Sequence, residues 1–149
     1  MGTAPNLSDA LQAPQSNSPT REQIDRLQAA MLAMPQADIP AEHTFGPGFY
    51  ARTIRIQAGT VLVGKVHSTE HLFIISKGEI ALATEDGTQI VKAPFQTVCR
   101  PGLKRVGAAI TDVVCTNIHL TNETDLEALE RLLIEPEPML QAAAKERLQ

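Results

Sequence analysis

The chain has no run of basic residues, no apolar span of membrane length, and only two cysteines among its 149 residues. Each shortage removes a class of function. Thirteen Lys and Arg against seventeen Asp and Glu leave a formal charge of -4, and no basic block can neutralise a run of phosphates, which excludes nucleic acid as the main partner. No segment approaches the ~20 apolar residues of a membrane helix, and residues 1–20 lack the apolar core of a signal peptide. The expectation is a soluble, unexported chain with no membrane partner. Cys99 and Cys115 are too few for a disulfide framework and lack metal-knuckle spacing, so they read as small buried hydrophobes in a reducing cytoplasm. No glycine loop cradles a nucleotide and no dinucleotide fingerprint follows a strand. Ser68 and Thr69 adjoin His67, but adjacency is not the nucleophile–base–orienter geometry of a hydrolase.

What is present reads as one domain with extensions. Residues 1–19, rich in Ala, Pro, Ser and Asn, have the composition of a flexible arm. Thr20 and Gln23 form a capping box, and Ile24, Leu27, Met31 and Met34 recur at helical spacing, which predicts an amphipathic helix over 20–36 ended by Pro35. "QADIPAEHTFGPG" reads as a linker containing an exposed His43. From Tyr50 to Leu120 the period becomes two. Eight short segments follow one another: "FYARTIRI", "TVLVGKVH", "HLFIIS", "EIALAT", "QIVKA", "FQTVC", "RVGAAI" and "VVCTNIHL". Asp86-Gly87 is the strongest hairpin turn between them. With no helix between strands the sheet must be antiparallel, since parallel crossovers need a dozen residues or more. The β region is placed at 37–120. A helical tail over 121–149 begins with a capping box at Thr124 and Glu127, carries the stripe Leu126, Leu129, Leu132 and Leu133, and adds a last short helix.

"GKVHSTEH" and "CRPGLKR" carry a resemblance to the cupin superfamily, whose first motif runs G, H-x-H, E, G and whose second runs P-x-G-x-x-H. Gly59, Lys65, His67, His71 and Gly78 fall on the first frame, and Gly102 and Arg105 on the second. The run from about residue 43 to 134 is similar to small cupin-like proteins of tailed bacteriophages. The resemblance implies an all-β fold, a cupin-type antiparallel barrel or jelly roll with an N-terminal helix and a C-terminal helical tail. It also implies a phage source, with residence in the host cytoplasm or the virion. Of the four usual metal-ligand positions, Lys65 and Arg105 replace two histidines, His71 replaces the glutamate, and His67 is kept.

Alternation places Val61, Val63, Lys65 and His67 on one face, and His71, Phe73 and Ile75 on one face of the next strand. Arg52 shares a face with Tyr50, Ile54 and Ile56, entering the barrel or a subunit contact. Val113, Cys115, Asn117 and His119 share a face of the last strand, and the resemblance favours that side as the inner one. His67, His71 and His119 are then candidate ligands for a divalent transition metal, Fe, Zn, Cu or Ni. Against them stands the reading of each histidine as a hydrogen-bonded core or rim residue, with Glu70 a ready partner. Lys65, Arg105 and Glu70 are candidate ligand-binding residues, the cations for an anion, with an internal salt bridge of Arg105 to Glu70 or Asp112 as the bland alternative. Glu70 is the candidate proton carrier of an enzyme. Three functions follow. One is a phage-encoded, homo-oligomeric assembly or binding module partnered by virion structural proteins; another is a small metal-dependent enzyme of isomerase or dioxygenase type; the third is a sugar or nucleotide binder that uses Lys65 and Arg105 as anion clamps.

Overall fold

A computed structural model of the protein describes residues 18–147, so the expected arm at 1–19 lies almost wholly outside the described residues. Helix α1 (Arg21–Leu32) starts where the capping box requires: Thr20 Oγ1 accepts from the Gln23 amide, and the Gln23 side chain accepts from the Thr20 amide. The helix stops short of Pro35, which disfavours helical backbone at the residue before it. Its buried face is narrow. Ile24 and Gln28, one turn apart, are buried, whereas Leu27 and Met34 remain exposed.

Nine strands follow: β1 (Ala41–Gly46), β2 (Phe49–Ile56), β3 (Val61–Val63), β4 (His71–Lys77), β5 (Glu79–Thr84), β6 (Gly87–Lys92), β7 (Phe95–Cys99), β8 (Arg105–Ala109) and β9 (Val113–Leu120). One sheet has the order β1-β2-β9-β4-β7 and the other β3-β8-β5-β6, with antiparallel pairing throughout. Setting the edge strand β1 aside, the remaining eight strands interleave between two sheets, which is the jelly roll expected from the sequence. Ile54, Ile56, Phe73 and Ile75 of one sheet meet Ile80, Leu82 and Val91 of the other in the main core. The chain changes sheets at Gly78, whose φ is +89° and where a Cβ would fall onto the Asp112 carbonyl, so only glycine fits this corner.

Four expectations are corrected. The stretch read as a linker contains β1, an edge strand whose side chains are largely exposed and which therefore shows no alternation to detect. The segment read as one strand over 60–67 pairs only at Val61–Val63; Gly64 to His67 leave the sheet. The β5–β6 hairpin is real, but Thr84 faces Gly87, so its loop is Glu85-Asp86. Helix α2 (Leu126–Leu133) is capped by Asp125, which accepts from the Ala128 amide at 3.0 Å, and not by Thr124. Leu129 and Leu133 pack with Tyr50 in a second small core, while Leu126 and Leu132 stay exposed. Helix α3 (Pro138–Arg147) is the expected last helix.

Candidate functional site

Three histidines reach one place by three routes. His71 opens β4 opposite Cys99 of β7, and His119 lies near the end of β9 opposite Tyr50 of β2, both on inward faces. His67 belongs to the segment that leaves the sheet after β3, and backbone bonds fix that segment from both sides. The Gly102 amide donates to the His67 carbonyl at 2.9 Å, the Ser68 amide to Leu133 at 2.8 Å, and the Glu135 amide to Val66 at 2.9 Å. The resulting ring centroids are 4.2 Å apart for His67–His71, 5.1 Å for His67–His119 and 5.0 Å for His71–His119. The inner side of β9 is therefore the His119 side.

Burial decides the charge of these rings. Desolvation pushes His67 down to about 3, helped by His71, His119, Arg105 and Arg52, and pushes His119 down to about 4, helped by His71 and Arg52. His71 is lowered by burial and by Arg105, against the Thr69 carbonyl that faces its Nδ1 at 3.5 Å. All three are neutral imidazoles at pH 7. His71 Nε2 and His119 Nδ1 are buried with no hydrogen-bond partner, as is Asn117 Oδ1. A buried polar atom left unpaired costs about 1–3 kcal/mol, so these atoms mark where a ligand is wanted.

A metal ion can be tested against the cluster. At Zn–N of 2.0–2.1 Å a ring centroid lies about 3.2 Å from the ion, so neighbouring ligand rings sit roughly 4.5–5.2 Å apart. His119 stands at that spacing from both other rings, 5.1 Å from His67 and 5.0 Å from His71, whereas His67 and His71, at 4.2 Å, are closer together than it allows. As they stand, no three His, Cys, Asp or Glu side chains among the described residues aim their donors at one point. The three rings are neighbours, and ligation by all of them would require them to turn and shift. A histidine that donates Nδ1–H to a carbonyl, as His71 can to Thr69, presents Nε2 to a metal.

The cluster opens on a cavity of about 430 Å³ between the sheets. Its body is apolar, with Ile54, Ile56, Phe73, Ile80 and Leu82, and its polar side carries the histidines with Asn117, Arg52 and Arg105. Arg105 lies with its guanidinium carbon 3.9 Å from the Phe73 centroid and its Nη2 against Cys99 Sγ. The proposed salt bridge of Arg105 with Glu70 or Asp112 is absent; Asp112 instead accepts from the Ala58 amide. Cys115, also on the wall, is pushed up to about 11 by burial and stays a thiol.

The other sequence candidates are placed less centrally. Lys65 reaches the cavity rim but turns outward to Glu130 at 2.6 Å, half-exposed, because the strand that was to aim it inward ends at Val63. Glu70 is exposed in the turn and does not line the cavity, which separates it from the role of proton carrier. Sequence reasoning missed two groups. His43, on β1, meets the Tyr50 hydroxyl through Nδ1 at 2.7 Å, and both line the cavity beside His119. Lys104 is wholly buried outside the barrel, donating to Asp25 at 2.7 Å, Gln28 at 2.5 Å and Glu137 at 2.7 Å. Its signal was "KR" entering a strand: adjacent residues point to opposite faces, so the two cations could not share a destination.

No family model and no curated protein matches the sequence. Solved structures do. The plu4264 protein of Photorhabdus luminescens is 16% identical, with a TM-score of 0.51 covering 65% of this chain and 87% of that one. A cupin superfamily protein of Desulfitobacterium hafniense is 12% identical, with a TM-score of 0.48 covering 72% and 98%. An RmlC-like cupin family protein with a double-stranded β-helix fold, from Methanocaldococcus jannaschii, is 17% identical, with a TM-score of 0.48 covering 57% and 82%. At such identities the likeness is one of fold.

Proposed function

We propose that this cupin-type jelly roll is a small-molecule binding module that carries a divalent transition metal on His67, His71 and His119. The observation that supports it most is the pair of buried, partnerless nitrogens, His71 Nε2 and His119 Nδ1, in a cluster of three neutral rings. Their depressed pKa values remove proton competition at neutral pH. A bound ion would supply Lewis acidity toward an oxygen donor in the cavity. The chain's own residues supply the rest: Arg52 and Arg105 set a positive field, Asn117 offers an amide, and the apolar wall excludes water. Protein purified without chelator should carry close to one equivalent of Fe, Zn, Cu or Ni by elemental analysis. His71→Ala and His119→Ala should each lose it while keeping the β spectrum. Metal retained by His119→Ala would remove that residue from the site, and wild-type protein that takes up no metal at neutral pH would remove the ion altogether.

A second reading concerns assembly, and the outer face of the five-stranded sheet favours it. Phe49 faces Leu120 across the β2–β9 pairing, Ala51 faces Ile118 and Thr53 faces Thr116; Leu72 and Ile74 continue the row on β4, and Val98 on β7. All point away from the cavity. Leu120 is 88% exposed, Val98 61% and Phe49 37%. No Lys, Arg, Asp or Glu interrupts that central stretch. Strands about 4.8 Å apart make this face on the order of 500 Å² in plan, at the upper range of what a monomer exposes. A second copy of the chain would cover it by a two-fold stacking of sheets, the commonest symmetry of soluble oligomers. Such a dimer is the module that the resemblance to phage-borne proteins implies, with virion proteins as its further partners.

A further inference from the structure

We infer that the barrel cavity binds a small organic anion, a carboxylate on an apolar body, through Arg105 and Arg52. The inference rests on reading the cavity as a ligand site, and it does not require the metal. Two observations carry it. Arg105 is half-buried inside the barrel, and neither it nor Arg52 has a carboxylate within ion-pair distance among the described residues. The one acidic side chain on the cavity wall, Glu130, is held by Lys65 at the rim.

A guanidinium withdrawn from water without a counter-ion is costly, and its planar fork matches a carboxylate with two parallel hydrogen bonds. Arg105 has its face covered by the Phe73 ring and one Nη2–H turned to Cys99 Sγ, which leaves its remaining N–H groups as the binding surface. A metal on the histidines would add two more positive charges to the same space, so an ion makes the demand for an anion stronger. The shape of the remaining wall fixes the other half of the ligand. Ile54, Ile56, Phe73, Ile80 and Leu82 line the apolar part of a cavity of about 430 Å³ in all, which suits a compact hydrocarbon body and not a second charged group. Inorganic phosphate would satisfy the arginines and leave this wall wet. Asn117 Oδ1, buried without a donor, has room for a hydroxyl beside the carboxylate.

The test is calorimetric titration of the full chain, stripped of metal with chelator, at pH 7. The probes are hexanoate, its neutral counterpart hexanamide, 2-hydroxyhexanoate and inorganic phosphate. Hexanoate should bind at one site per chain, at least tenfold tighter than hexanamide and than phosphate. Arg105→Ala should weaken hexanoate tenfold or more, with Arg105→Lys between the two; Arg52→Ala should weaken it by a smaller factor, because Arg52 is the more exposed. Arg105→Gln, checked for an unchanged melting profile, guards against a variant that fails to fold. Hexanamide binding as tightly as hexanoate, full affinity in Arg105→Gln, or no saturable binding of any carboxylate probe would overturn the inference. The two readings separate in wild-type protein: elemental analysis reads uptake of the ion, and titration of the chelator-stripped chain reads the anion alone. Hexanoate binding in a protein that never takes up metal would sink the ion and keep the anion.

Discussion

Replacing Lys104 with methionine should destabilise the protein by about 3–5 kcal/mol, the cost of breaking a buried charge cluster from one side. Lys104 has 0% of its side chain exposed, and its three ammonium protons are matched by three acceptors, on Asp25, Gln28 and Glu137. Methionine keeps the volume and removes the charge. Asp25, 42% exposed, can turn back to water and loses little. Glu137 cannot. Its side chain is 11% exposed and its Oε1 already lacks a partner, so the substitution strands a carboxylate in a nearly dry site. The cluster also joins α1 to the barrel and to the segment before α3, so hydrogen exchange should accelerate in Arg21–Leu32 well before it does in the sheets. Urea unfolding at pH 7 gives the magnitude. The companion Glu137→Gln in the Lys104→Met background should recover a large part of the loss, since it removes the stranded charge. A loss under 1 kcal/mol, or no recovery in the double variant, would show that the cluster behaves as a surface pair and refute the reasoning.

Two further outcomes follow. In the metal-free protein the histidine cluster makes stability fall with acid: below pH 6.5 the unfolded chain binds protons that folded His67 and His119, at about 3 and about 4, refuse. Stability is then complete above 6.5 and declines toward pH 4 by up to about 1.4 kcal/mol per pH unit for each such histidine, less for rings reached by solvent at the cavity mouth. Urea midpoints at pH 7 and pH 5 should differ accordingly in wild type and differ by less in His67→Phe, where His119 alone of the two remains; equal midpoints in wild type would mean the rings protonate without cost. For the outer sheet face, Ile118→Lys should convert a dimer to a monomer by light scattering with the cavity titrations unchanged, and a wild-type mass of one chain at all concentrations would exclude the stacked dimer.

Much of the fold was legible because burial writes itself into a two-residue period. β2, β7 and β9 run over the segments "FYARTIRI", "FQTVC" and "VVCTNIHL" that alternation marks. Where burial is one-sided or missing, the period fades. β1 is an edge strand with mostly exposed side chains, and nothing in "AEHTFG" distinguishes it from a linker between Pro40 and Pro47. "GKVH" failed in the opposite way: its alternation is intact, but the pairing that would use it is taken by the backbone of residues 133–135. That competition is tertiary and lies 65 residues away, out of reach of any local pattern. The site was legible as residue types and less so as geometry. His71 and His119 meet as strand parity allowed once an inner face was chosen; His67 joins them from a segment held outside the sheet, and Lys65 was lost with the strand that was to carry both. The Thr124 box lost to Asp125, the next residue and an equally able cap, which accepts from the Ala128 amide.

The loop between β7 and β8 shows how one short stretch serves binding and stability together. Cys99 ends β7 inside the barrel, under the Arg105 guanidinium. Gly102, at a φ of +81°, turns its amide onto the His67 carbonyl and so positions a ring that no strand holds. Lys104 then points out to α1 and Arg105 points in to the cavity. The outward cation is neutralised by Asp25 and Glu137, whose charges are part of the fold. Among the described residues the inward cation has no such partner, although the same few residues show that the chain can supply one where stability needs it. A charge left unpaired inside a fold that pairs its neighbour is best explained by a counter-ion that arrives from outside.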